Sequence, residues 1–396
     1  MTVSIVMHYV YRPMQKTIFF VIALCEIFLL LLICYQNVHF ERGNGPGSLL
    51  MERDVMARFS RKIFTVAAVS GLLLLSSQAA SASILKAESG SPTNINTTIM
   101  TLLSKYAKEE AGISIQLNSG QTLTRTPLKV GMGQTDLTVV PSEVLSYMQN
   151  GENMYKNTAG PAQKSAENVR ALFGFMAGLY HGITWADNGI ENWSDFKGKR
   201  VYTGPASGTA GVNIEEFIRI NSGYEPNVDY QSVKMDWPAS GQAFTDGLVD
   251  ILFRAALPGS TGIEEFALTR PIRLFGLTQE AAESQAWQKA QNLPGMFAHT
   301  IGADTYSNLA NEDDITMIAF TMMVIANKAL AEETAYQLTK SFWERQADTQ
   351  ASSVTLRSVS IENAFEGVVT KLHPGAYRYY QEKRINVPTE LIPDEE

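Results

Sequence analysis

The sequence predicts an α/β fold made of two similar lobes. Three observations lead there. Between residues 83 and 150 the order strand, polar turn, helix comes three times. From residue 198 the same order resumes, starting with Gly198–Ile220. Finally, Gly133-Gln134-Thr135-Asp136-Leu137 and Gly247-Leu248-Val249-Asp250-Ile251 share one pattern, a helix end, Gly-x-x-Asp and a strand. In an α/β sheet the turns at the carboxyl ends of the strands are where ligands bind.

In order, residues 83–88 read as the first strand. Ser89-Gly90-Ser91-Pro92-Thr93-Asn94 is a turn rich in hydroxyls. Ile95–Glu110 reads as a helix with Ile99, Leu102, Leu103 and Tyr106 on one face. Residues 113–117 alternate as a second strand, and Asn118–Thr122 is a second polar turn. A short helix over 123–132 carries Pro127 in its first turn. Residues 136–140 form the third strand, and Pro141-Ser142 opens the helix 143–149. The polar stretch 151–168 reads as a flap or loop. The glycine-punctuated run 169–185 reads as two strands, the second crossing to the new lobe. A short helix over 190–200 leads into the strand at Val201-Tyr202.

Gly204-Pro205 ends that strand. Ser207-Gly208-Thr209 supplies two candidate N-caps, and Val212, Phe217, Ile218 and Ile220 follow at helical spacing. Such a helix start gathers backbone N–H groups and hydroxyls at the positive end of the helix, an anion-friendly spot. Beyond it, strands are expected at 228–233, 249–253 and 272–276, and helices at 239–246, 263–268 and 280–291. Residues 314–327 read as a long strand or strand pair returning to the first lobe. Helices follow over 332–344 and on towards Phe365.

Residues 1–82 have a different character. Arg58, Arg61 and Lys62, the apolar run 63–75 and Ala80-Ser81-Ala82 are the three parts of a secretory signal peptide, with cleavage after Ala82. Upstream, Ile18–Tyr35 is a second apolar run broken only by Glu26. Met51-Glu52-Arg53 can be encoded by a purine-rich tract resembling a ribosome-binding site, with Asp54-Val55 as spacer. Met56 is therefore the expected start, and residues 1–55 an upstream extension. Lys62 stands where a twin-arginine signal has its second arginine, so ordinary export is expected. The resulting division is 56–82 signal, 83–180 with 310–396 as lobe I, and 181–309 as lobe II.

Both cysteines, Cys25 and Cys34, precede Met56, so the exported part has neither a disulfide nor a thiol nucleophile. Residues 1–82 hold seven basic and four acidic side chains, which takes the net charge from −8 to −11 for the remainder. That acidity argues against nucleic acid and anionic membranes as partners. His181, His299 and His373 lack metal-ligand spacing, so no metal and no cofactor are expected.

Four segments occur in a telling order. They are Gly198-Lys199-Arg200-Val201 with Ser207-Gly208-Thr209, Asp246-Gly247-x-x-Asp250, Glu332-Glu333-Thr334-x-Tyr336-x-x-Thr339-Lys340, and Leu372-His373-Pro374-Gly375-Ala376-x-Arg378-Tyr379-Tyr380. Together they resemble the TAXI family, the substrate-binding proteins of tripartite ATP-independent periplasmic (TRAP) transporters. The resemblance implies a periplasmic two-lobed clamshell of type II-like build, with a hinge between the lobes. It implies a monomer that captures a small organic anion, glutamate-like or a dicarboxylate, and delivers it to TRAP membrane permease subunits. No enzymatic activity is implied. The first loop lacks the family's usual tyrosine, Arg254 enters a strand that is normally apolar, and Trp237 replaces a smaller residue.

The ligand-binding candidates fall into a few groups. Ser207, Gly208 and Thr209 form one half of a clamp, with plain helix capping as the alternative. Ser89, Ser91, Gln121 and Thr122 face them from the first lobe, and Ser142 is a further candidate, explicable by capping alone. Arg254, after Ile251-Leu252-Phe253, is expected near-buried, where it needs an anion. That anion is a ligand carboxylate or an internal partner such as Asp236 or Glu264. Trp237 is a candidate wall, whereas Trp185 and Tyr202 read as core and Arg125 as surface. Two further function classes stay open. One is a periplasmic ligand-sensing component of a signalling system. The other is an exported α/β hydrolase, against which Pro205 counts, because it breaks G-x-S-x-G.

Overall fold

The computed structural model describes residues 84–92 and 94–394. The expected signal peptide and start site, the upstream apolar run and both cysteines lie outside the described residues. The described residues belong to one compact unit.

The strands are β1 (Leu85–Glu88), β2 (Ile115–Asn118), β3 (Leu137–Pro141), β4 (Val169–Trp185), β5 (Arg200–Tyr202), β6 (Gln231–Val233), β7 (Ile251–Ala256), β8 (Ile272–Phe275), β9 (Met296–Ile301) and β10 (Ile315–Asn327). They join in the order β2-β1-β3-β10-β4-β7-β5-β6, with β8 on β4 and β9 on β10. The two ends of this order mirror each other. In each, the first strand lies parallel between the second and third, and the third meets a long antiparallel strand. This is the α/β, two-lobed architecture. β4 and β10 are the members both halves share, and they pair with each other over nine residues, Val169–Leu179 against Asn327–Ala319.

The repeated Gly-x-x-Asp has a physical basis. Asp136 Oδ2 accepts from the Lys86 backbone N–H at 2.7 Å, and Asp136 N–H donates to the Lys86 carbonyl at 2.9 Å. Asp250 does the same to Arg200 at 2.8 and 2.8 Å. The preceding glycines, Gly133 and Gly247, have φ of 70° and 68°, the left-handed turn that ends a helix there. Each aspartate thus pins the third strand of its half to the start of the first.

The first five described helices are α1 (Ile95–Ala111), α2 (Thr126–Gly131), α3 (Ser142–Asn150), α4 (Ala159–Ala166) and α5 (Ala210–Ser222). Further along come α6 (Trp237–Thr245), α7 (Thr261–Thr269), α8 (Gln279–Glu283), α9 (Gln285–Gln291), α10 (Glu332–Glu344), α11 (Gln346–Ser352) and α12 (Pro374–Glu382). The C-terminal motifs join α10 to α12. Arg378 pairs with Glu332 and Glu333, Trp343 Nε1 donates to the Tyr380 hydroxyl at 2.9 Å, and Tyr380 donates to the Leu172 carbonyl of β4 at 3.0 Å. His373 caps α12 through Nδ1. No described helix is long and apolar enough to cross a membrane.

Several expectations need correction. The run 169–185 is one strand, not two. Its glycines serve close approach rather than strand ends, since a Cβ on Gly174 would meet the Glu366 carbonyl at 2.5 Å. The strand absorbs its bends as register shifts opposite Phe320/Thr321 and Val324/Ile325. The expected flap at 151–168 is a 3-10 turn (Asn153–Thr158) and α4, which buries Ala162, Ser165 and Ala166 on a small-residue face against α2. The helix expected at 190–200 is a single 3-10 turn, Trp193–Phe196, held by the Asn192/Asp195 capping box. The helix expected at 280–291 is split by Ser284, which caps α9. Helix α6 starts two residues earlier than expected, and β7 runs to Ala256. β9 has no counterpart among the expected strands.

The braces predict that Asp136→Ala and Asp250→Ala each lower unfolding stability by about 1–3 kcal/mol in urea titrations. The losses should add, because the two sites lie in different halves. Unchanged midpoints would show that the repeated motif braces nothing.

Candidate functional site

The mirrored topology turns the carboxyl ends of both strand sets towards one cavity of about 750 Å³. Five helices begin on its wall. The N-cap residues Asn94 (α1), Pro141 (α3), Thr209 (α5), Asp236 (α6) and Ser260 (α7) all line it. Among these described helix starts, none is closed by a hydrogen bond from the N-cap side chain. Elsewhere Thr278, Ser284 and His373 do cap their helices. Each start carries roughly half a positive charge, so the wall favours an anionic group.

The floor is made by the shared strands. Tyr180 of β4 stacks on Phe320 of β10, with ring centroids 4.8 Å apart, and both line the cavity. The polar turns of the first half are braced to each other. Gly120 N–H donates to the Gly90 carbonyl at 2.6 Å and Gln121 N–H to the Ser89 carbonyl at 2.9 Å. This holds Gln121 and Thr122 beside Gly90 and Ser91.

Of the sequence-predicted residues, Ser91, Gln121, Thr122, Ser207, Gly208, Thr209 and Trp237 line the cavity. Gly208 has φ of 94°, which lets the 204–209 turn reverse before α5. Thr209 is the N-cap of α5, but its hydroxyl bonds Glu143 rather than its own helix.

Three predicted residues do not line it. Ser89 is buried, and its hydroxyl accepts from Thr97 at 2.9 Å. Ser142 is buried against Thr321, 2.7 Å away, at a spot where Gly295 and Gly367 leave no room for a Cβ. Arg254 is partly buried inside β7, and its guanidinium meets neither Asp236 nor Glu264. It donates to the Trp237 carbonyl at 2.8 Å and to the Ser240 hydroxyl at 3.1 Å. Glu264 accepts instead from the Ser307 N–H at 3.1 Å. Arg254 has only neutral acceptors, and burial pushes its pKa down.

Glu143 is a site residue that the sequence does not single out. It follows Ser142 in the first turn of α3, lines the cavity, and is 3% exposed. Both its oxygens accept from Asn213 Nδ2 of α5, at 2.9 and 3.0 Å. Burial raises its pKa from the ordinary 4.5, while the hydrogen bonds from Thr209 and Asn213 oppose the shift. The available signal was position, the second residue after β3 on the edge where ligands bind.

His181 is a core residue. Its ring contacts the Leu179 carbonyl at 3.2 Å and the Tyr306 hydroxyl at 3.0 Å, and burial pushes it down to about 4. Trp185 stacks on Phe244, with centroids 4.6 Å apart, Tyr202 is buried, and Arg125 is exposed. Among the described residues no three His, Cys, Asp or Glu side chains gather as a metal site.

A model of the NMT1-like family matches residues 94–383. Solved structures with a similar fold include three binding proteins. A TRAP periplasmic solute-binding protein from Rhodobacter sphaeroides is 12% identical, with 70% of this chain and 82% of that chain covered and a TM-score of 0.40. The periplasmic aliphatic sulphonate-binding protein SsuA from Escherichia coli is 11% identical, with 78% and 90% covered and a TM-score of 0.41. DctP7, a Bordetella pertussis extracytoplasmic solute receptor binding pyroglutamic acid, is 13% identical, with 76% and 93% covered and a TM-score of 0.39.

Glu143 generates a prediction with a definite sign. A carboxyl whose folded pKa is raised contributes stability that is fully present below 4.5 and is lost as pH rises through the folded value. Glu143→Gln should therefore flatten the fall in stability of the ligand-free protein above pH 4.5. At pH 7 the variant should gain roughly 1 kcal/mol, seen as a raised Tm in calorimetry. A lower Tm at neutral pH would contradict this.

Proposed function

The chain belongs to the NMT1-like family, and from that premise we propose that it is a periplasmic solute-binding protein that captures a small carboxylate-bearing molecule and hands it to a membrane permease. One observation carries the reading, the convergence of five helix starts from both halves of the fold on one cavity. A carboxylate placed there accepts from backbone N–H groups whose direction the helices fix. Ser207, Gly208 and Thr209 contact it from one side, Ser91, Gln121 and Thr122 from the other, and Trp237 closes the wall. Ser89, Ser142 and Arg254 act behind this surface, holding the turns in place.

The lobes are residues 83–180 with 310–396, and residues 181–309, and they hinge on β4 and β10. The permease is of the TRAP type, as the TAXI-like order of motifs suggests. Delivery in a monomeric, cofactor-free and non-enzymatic form follows from that same resemblance. Export by the signal at 56–82 places the protein in the periplasm.

Ser207 offers the direct test, because its side chain is exposed on the cavity wall at the start of α5. Ser207→Asp sets a fixed negative charge where the solute's carboxylate belongs. Affinity for the best hit from a thermal-shift panel of carboxylates, amino acids and sulfonates should fall roughly tenfold or more, with Tm unchanged. Equal affinity in the variant, read by calorimetric titration, would remove the helix-start site from the account.

A further inference from the structure

Resting on the reading that the cavity holds a carboxylate-bearing solute, we propose that this solute also carries a positively charged nitrogen, received by Glu143, and no second carboxylate. Among the described residues that line the cavity, Glu143 and Asp236 are the acidic side chains, and no lysine, arginine or histidine lines it. The nearby cations are engaged elsewhere. Lys234 pairs with Glu215 at 2.7 Å, Arg254 donates to neutral oxygens, and neither lines the cavity.

The two ends of the solute are therefore recognised by different chemistry. The helix starts supply partial positive charge for one carboxylate. Glu143 supplies a carboxyl group shielded from water, and a ligand cation beside it favours the ionised form that burial alone disfavours. Asn213 Nδ2 serves both its oxygens and the Thr209 hydroxyl adds one more bond, so of about four acceptor positions one remains for a further donor. A buried carboxylate without a cation is unfavourable, and a ligand ammonium provides that cation through a charge-assisted hydrogen bond. A second ligand carboxylate would instead meet Glu143 with nothing between them. The floor of Tyr180 and Phe320 accepts the apolar chain that joins the two ends. The class so defined is a zwitterion of no net charge, either an α-amino acid with an uncharged side chain or an ω-amino acid. This narrows the organic anion of the sequence reading and excludes dicarboxylates.

Calorimetric titration of the purified protein with two matched pairs tests this. One pair is 5-aminopentanoate and glutarate, equal in length and differing in ammonium against carboxylate. The other is leucine and 4-methylpentanoate, alike in shape and differing in the amine. The amine-bearing member of each pair should bind roughly tenfold tighter or more. Glu143→Gln should cut that preference by lowering the affinity of the amines while leaving or raising that of the acids. A merely structural role for Glu143 would move all four affinities alike, and that result overturns the proposal. So does glutarate binding the wild-type protein as tightly as 5-aminopentanoate, a readout that needs no variant to fold. Carboxylates that bind without amine preference sink this inference and leave the carrier reading standing. Failure of all four compounds, and of a wider carboxylate panel, to bind removes both.

Discussion

Both halves of this fold hang on one pair of antiparallel strands, β4 and β10. Their pairing places two mirrored strand sets in a single hydrogen-bonded order, so the carboxyl ends of both sets look onto the same space. Everything at the site depends on that constraint. The helices that leave those strand ends start at the cavity, and the two long strands themselves supply its aromatic floor. Without β4 and β10 the polar turns would be unrelated surface loops.

The constraint also explains what the recurring sequence motifs do. Gly-x-x-Asp, in both halves, pins the third strand to the first. The C-terminal motifs build the contact of α10 with α12 and fasten it to β4 through Tyr380. Gly375 sits so close to the Glu332 carbonyl that a Cβ would not fit. These motifs hold the frame, and most of them touch no cavity. Of the four segments that carry the family resemblance, Ser207-Gly208-Thr209 is the part that lines it. That division separates membership in a family from choice of solute.

Much of the fold was legible because its signals are local. The strand–turn–helix order and the helix start after Gly204-Pro205 rest on apolar periodicity and turn residues within a few positions. What stayed hidden depends on distant parts of the chain. The run 169–185 carries glycines that read as breaks until their close neighbours, Glu366 and Ala256, are known. β9 lacks a clear alternation. Arg254 is partly buried, as its place after an apolar triplet implies, but its partners differ from those expected, because the early start of α6 brings the Trp237 carbonyl to it. Glu143 escapes a sequence reading because a glutamate in the first turn of a helix is ordinary. Its burial against Asn213, seventy positions away, is not.

The site balances opposed electrostatic demands. Five helix starts draw negative charge in, while a shielded carboxylate resists a second one. A cavity with that balance would sort solutes by where charge sits on them more than by how much of it there is. Capture of one small molecule in this cavity is the step on which that sorting depends. Native mass spectrometry of the protein purified from its own cells measures that directly. One bound small molecule per chain, containing a carboxyl group and released on unfolding, is the expected result. A bare chain mass, or a bound molecule with no carboxyl group, would contradict it.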